Sequence, residues 1–163
     1  MNWGKLRNLE NSLKQFLDRK IEEEYLTSEN DTSITVQVGR KEDSNWVLPC
    51  VVAYVESETL ERFEIGSNTR SEQILMIIDI YARNEGERLD IVSWITDTIN
   101  DGFPYYIYYY NSANPDEILK SQRSWVNINF LTNTRVNLGQ NVSEIDAHRH
   151  RISISVWTSK VEK

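Results

Sequence analysis

His148-Arg149-His150 is where the chain comes nearest to a constellation that could do chemistry. Two imidazoles at i and i+2 on a strand share one face and could ligate a metal, given further donors. No Cys is near, and the acids closest in sequence, Glu144 and Asp146, read as ordinary loop residues. The pair therefore reads as polar surface leading into a strand. Cys50 is the only cysteine; it lies in an apolar, strand-like run and reads as a buried thiol. A serine hydrolase needs an activated Ser with a His and an acid. No G-x-S-x-G elbow is present, and Gly66-Ser67 sits in a plain turn. Gly-rich phosphate loops are absent too. Carboxylate pairs such as Glu56/Glu58 and Glu85/Glu87 are common in an acidic chain. The expectation is no catalytic residue, no metal ligand and no cofactor, hence not an enzyme.

Charge narrows the partners. Lys and Arg number 18 against 25 Asp and Glu, for a net charge of −7. Phosphate binding needs clustered cations, so specific nucleic-acid binding is not expected. No apolar stretch approaches the ~20 residues that span a bilayer, and MNWGKLRNLENSLKQ is too polar for a signal peptide. A soluble protein made in a reducing cytoplasm is expected. Asn30 and Asn141 head Asn-x-Ser/Thr triplets, which carry no meaning without secretion. With 39% hydrophobic and 10% aromatic residues, the 163-residue chain can bury a core, and one domain is expected over 1–163.

The elements that would position any site follow from periodicity. Leu6, Leu9, Leu13, Phe16, Leu17, Ile21 and Tyr25 recur at helical steps, predicting a helix over 4–25. Thr27-Ser28-Glu29-Asn30-Asp31 breaks it, and Glu22-Glu23-Glu24 reads as a solvated face. Ile34, Val36 and Val38 alternate with Thr35 and Gln37, a one-sided strand. Residues 46–56 are more evenly apolar, with Pro49 implying an edge or bulge. A polar turn is expected at 57–61, then a segment with Leu60, Phe63 and Ile65 that ends at Gly66-Ser67-Asn68. A strand is expected at 72–82, and a helix at 87–100 with Leu89, Val92, Ile95 and Ile99 on its stripe. Asp101-Gly102 closes that helix.

Closing strands are expected at Tyr105–Tyr110, Trp125–Leu131 and Arg151–Trp157, with polar excursions at 112–124 and 132–149 read as contact arms. Val126, Ile128 and Phe130 are expected on one face of the second of these, opposite Trp125, Asn127 and Asn129. The architecture is thus α+β: a mixed or antiparallel sheet with two main helices, 4–25 and 87–100, packed on one face. Leu9, Leu13, Phe16 and Leu17 should meet the same sheet face as Leu89, Val92 and Ile95.

Within the strand at 72–82, Ile74, Met76, Ile78, Ile80 and Ala82 point one way, toward that core. Leu75, Ile77, Asp79 and Tyr81 point the other way. A buried lone Asp is costly, so this set reads as an uncovered or subunit-facing surface. Arg83, Arg88 or Arg135, on any subunit, are the candidate partners of Asp79. On this reading Asp79→Ala leaves the monomer's stability within about ±0.5 kcal/mol. Tyr106, Tyr108 and Tyr110 join the candidate interface, because Tyr suits surfaces that are half apolar and half wet. Tyr rings covering both faces of a sheet is the plainer reading of that run.

The order of these elements resembles the tail terminator, or tail completion, proteins of long-tailed bacteriophages. The resemblance rests on the amphipathic N-terminal helix, Leu48-Pro49-Cys50-Val51-Val52, the strand ILMIIDIYA, the helix ERLDIVSWITDTI and the closing strands. It spans roughly residues 4–157. It implies a virion subunit of a homo-oligomeric ring, typically a hexamer, at the head-proximal end of the tail. Such a ring stops tail-tube growth and joins the tail to the head connector. The implied partners are the tail tube protein, head–tail connector or neck proteins, and the sheath protein if the tail contracts. The family offers no active site to carry over. An acidic ring suits DNA that must slide through without sticking. A neck or other connector protein would read similarly, and a small soluble protein-binding adaptor is the alternative class.

Overall fold

The computed structural model describes residues 4–25, 33–39, 47–62, 70–114, 116–137 and 146–157. Helix α1 spans Lys5–Lys20, and a π turn continues it over Ile21–Tyr25. Strands β1 (Thr35–Val38), β2 (Cys50–Arg62) and β3 (Arg70–Tyr81) come next. Helix α2 spans Glu85–Ile99, followed by β4 (Phe103–Tyr110), β5 (Ile118–Arg135) and β6 (Arg149–Trp157). The start of α2 is local chemistry: the Asn84 side chain accepts from the Glu87 N–H at 2.9 Å, and Glu87 accepts from the Arg83 N–H at 2.7 Å. At its far end Gly102 has φ +84°, and a Cβ there would stand 2.0 Å from the Val126 carbonyl oxygen. Only glycine fits that turn.

The six strands form one mixed, curled sheet in the order β1-β2-β3-β6-β5-β4. Among the described residues β1 and β2 run parallel and the other neighbouring pairs are antiparallel. One face carries the main core, where Leu9, Leu13, Phe16 and Leu17 of α1 join Ile91, Val92, Ile95 and Ile99 of α2 over Ile74, Met76, Ile78, Ile80, Ile152, Ile154 and Val156. Full burial of a leucine such as Leu13 contributes about 1.5–3 kcal/mol. The α+β expectation holds, as do both helices and the two-faced reading of β3. Leu89 is a correction: it is 52% exposed, on the outer side of α2.

Helix α1 also manages the sheet's edges. On β4, the Tyr106 N–H donates to Ser12 Oγ at 2.9 Å and the Tyr108 N–H to Asn8 Oδ1 at 3.2 Å. Beyond the end of β1, the Val55 N–H of β2 donates to Glu10 Oε1 at 2.8 Å. Polar side chains of one helix thus stand in for a neighbouring strand at both sides of the curl, which satisfies donors that an edge leaves open. This explains why Asn8 and Ser12 are buried on an otherwise apolar stripe.

Two expected interruptions are strand. β2 runs through the expected turn at 57–61, past an irregularity between Val55 and Ser57. The excursion at 112–124 becomes a short turn and then the first half of β5, paired with β4; the excursion at 132–149 begins as β5's last residues. Ser, Gln, Lys and Arg are frequent there and apolar residues few, and among the described residues no helix covers the outer side. The expected segment around Phe63 and Ile65, the break at 27–31, and the stretch 138–145 of the second excursion lie outside the described residues, as do Asn30 and Asn141.

Candidate functional site

Two polar clusters flank the end of the β3–β6 pair, and the run Arg149-His150-Arg151 feeds both. Register sets this: Asp79 pairs with Arg151, Ile80 with His150 and Tyr81 with Arg149. Period-2 alternation sends the arginines to the face away from the helices and His150 to the helix-covered face.

On the outer face Asp79 is 2% exposed. Arg151 Nε donates to its Oδ1 at 2.8 Å and Arg151 Nη2 to its Oδ2 at 2.9 Å, while Arg149 Nη2 reaches Oδ2 at 2.7 Å. Tyr54 Oη accepts from Arg151 at 3.2 Å, and the Arg149 guanidinium lies over the Tyr81 ring at 5.1 Å. Burial pushes the Asp79 carboxyl up, but the hydrogen bonds from Arg151 and Arg149 more than offset it and hold the group below the usual carboxylate range. Burial pushes the Tyr81 phenol up to about 12. Cys50, Val52, Tyr54, Ile77 and Tyr81 form a second, smaller apolar cluster beside these charges, with Leu48 and Leu75 against it.

On the helix-covered face His150 is 7% exposed and Arg88 4%. Arg88 Nη1 stands 2.6 Å from His150 Nδ1, and Arg88 Nε donates to Glu85 Oε2 at 3.2 Å. Because Nδ1 accepts, the neutral ring carries its proton on Nε2, which is buried and has no hydrogen-bond partner among the described residues. Burial, then the Arg88 charge, pushes the His150 pKa down. Glu85 also faces Arg135 at 3.7 Å and His148 at 3.6 Å. The two histidines therefore do not act as a pair. His150 is a buried base under Arg88, which corrects its reading as surface. Among the described residues no three His, Cys, Asp or Glu side chains are grouped to hold a metal. Cys50 is buried, as expected.

The candidate interface residues divide. Leu75, Ile77, Asp79 and Tyr81 do share the face away from the helices, but Ile77, Asp79 and Tyr81 are buried within the chain. The expected partners of Asp79 are corrected: Arg149 and Arg151 of the same chain hold it, and Arg88 and Arg135 serve Glu85 on the other face. Arg83 pairs with Glu87. The i, i+2 spacing of Arg149 and Arg151 signalled a shared face; only register supplied the acid.

Tyr106, Tyr108 and Tyr110 sit on β4, separated from β3 by β6 and β5. The Tyr108 hydroxyl donates to the Asn11 carbonyl at 3.2 Å and meets Gln15 Oε1 at 2.8 Å, so α1 claims it. Lys120 Nζ lies 5.3 Å from the centre of the Tyr106 ring, and Tyr110 is 39% exposed.

The exposed apolar residues were not foreseen as a group. Carrying the alternation through the shifts at Tyr105/Tyr106 and Ile128/Phe130 puts Tyr110, Ile118, Trp125, Phe130 and Trp157 on the face away from the helices. Phe130 is 60% exposed, Ile118 48%, Trp125 45% and Trp157 39%. The shift before Phe130 turns it from its expected place with Val126 and Ile128.

No protein-family model matches the chain, and no curated protein matches it in sequence. Among the described residues no helix is long and apolar enough to cross a membrane.

Proposed function

We propose that the protein is a structural assembly subunit, a ring-forming virion protein at the head-proximal end of a phage tail that stops tube growth and joins tail to head connector. One observation carries the assembly part: five large apolar residues stand exposed on a single face of β4–β5–β6. Scattered apolar residues on a surface need no explanation, but a group of aromatics on one face marks an interaction site. The place in a phage tail rests on the resemblance in element order. On this reading the partners are further copies of the chain, the tail tube protein and connector or neck proteins, and the role is not enzymatic. A neck or connector ring is the alternative placement.

Sedimentation velocity over a range of concentrations, with electron micrographs of the protein alone and mixed with tail tubes, tests the proposal. Closed rings, or rings capping tube ends, are expected, and Phe130→Ala with Trp157→Ala should weaken them while the subunit's melting stays unchanged. A monomer at every concentration that caps no tube overturns it, and would leave an adaptor for a different protein.

A further inference from the structure

Charge is unevenly spread over the strands of the sheet. β4, β5 and β6 contain no Asp or Glu, yet carry Lys120, Arg123, Arg135, Arg149 and Arg151, in a chain of net charge −7. Asp79 neutralises Arg149 and Arg151 in part, and Arg135 reaches Glu85. Lys120 and Arg123 are exposed and pair with no carboxylate among the described residues. Lys120 lies on the outer face beside Tyr110, Ile118 and Tyr106; Arg123 stands at the bulge between Tyr105 and Tyr106.

Helix α2 presents the opposite character from the opposite side. Its inner residues pack on the core face of β3 and β6. Its outer stripe carries Leu89, Asp90, Ser93 and Asp97, all exposed. Neither aspartate has a cation partner among the described residues. Leu89 beside Asp90 and Asp97 faces one way, and Tyr110, Ile118 and Trp125 near Lys120 and Arg123 face the other.

We infer that the outer face of β4–β5–β6 in one copy receives the outer stripe of α2 from the next copy. This rests on the assembly reading above. The two surfaces differ and lie on opposite sides of one chain, so the contact is head-to-tail, the type that closes into rings or runs on as filaments. Apolar contact would centre on Leu89 against the aromatic group. Asp90 and Asp97 would meet Lys120 and Arg123, fixing register and speeding encounter. Nucleic acid fits this face less well, because among the described residues of these strands two cations, Lys120 and Arg123, lack a carboxylate partner, and phosphate binding draws on many.

The test uses two double variants of the full chain, D90K/D97K and K120E/R123E, with all four positions exposed and so tolerant of change. Each variant alone should associate about tenfold or more weakly than the unaltered protein, since like charges then face each other. An equimolar mixture should recover association, because an alternating assembly restores opposite charge at every contact. Higher salt should weaken the unaltered protein's association. If the unaltered protein associates while the variants behave like it, or the mixture fails to recover, the inference falls and the assembly reading stands. If the unaltered protein never associates, both fall. If K120E/R123E still assembles but loses binding to a fluorescent oligothymidine that the unaltered protein holds, the face is a nucleic-acid platform and the inference is overturned.

Discussion

Asp79 and His150 are a buried acid and a buried base, set on opposite faces of neighbouring strands, and each meets arginine. The acid has two cations within 3 Å and every reason to stay charged. The base has one cation at 2.6 Å and stays neutral so that it can accept from it. A single run, Arg149-His150-Arg151, supplies both environments, because alternation alone separates its members. A buried polar residue is thus defined by what the register sets opposite it, and not by its own type.

Of the two clusters, the one around Asp79 should respond most to loss of a single side chain. Asp79→Ala removes the acid that two guanidinium groups share, one of them little exposed, and leaves Arg149 the longer contact with Asp146 at 3.6 Å. A loss of about 3–5 kcal/mol in denaturant unfolding is expected, the usual cost of removing one partner from a buried ion pair. This reverses the near-zero effect expected for a surface position. A loss below about 1 kcal/mol would show the arginines turning out to water, and the cluster would be no tighter than a surface pair.

A middle-sized effect is expected on the other side. Arg88→Met keeps the buried stem but leaves the acceptor Nδ1 of His150 unsatisfied and leaves Glu85 to the longer contacts with Arg135 and His148. About 1–3 kcal/mol should be lost. A smaller loss than that would mean the imidazole finds water or flips, and that Arg88 does not set its state.

The smallest effect separates the two clusters by pH. The pKa of His150 is lowered on folding, so its contribution is full above the ordinary histidine value near 6.5. As pH falls below about 6.5 the unfolded chain takes a proton that the folded chain refuses, and stability declines by about 1.4 kcal/mol per unit of lowering. The Asp79 carboxyl is also lowered, but its contribution is present above the unfolded carboxylate value near 3.9 and is lost only as pH falls through the folded value. Acidification should therefore weaken the helix-covered face first. His150→Asn keeps an acceptor for Arg88 without a titrating ring. Urea melts at stepped pH should lose the upper decline in this variant and keep the lower one. If the upper decline persists, another group causes it.

Several parts of this fold were legible in the chain by itself. Helix α1, the inward row Ile74, Met76, Ile78 and Ile80, and the row Ile152, Ile154 and Val156 follow from local periodicity; the body of α2 does too, although it starts at Glu85, two residues ahead of the expected 87. These are decided within a few residues, by which side of an element meets the core and which donors its first turn leaves open. The polar first half of β5 was not legible, because its side chains are mostly exposed and irregularities in pairing shift the phase of its apolar residues. Nor were the arginines of Asp79, some 70 residues distant in sequence, the seat of His150 under Arg88, or the gathering of Phe130, Trp157 and Trp125 on one face. Each depends on which strands become neighbours and in what register, and a one-residue slip would send every such side chain to the other face of the sheet.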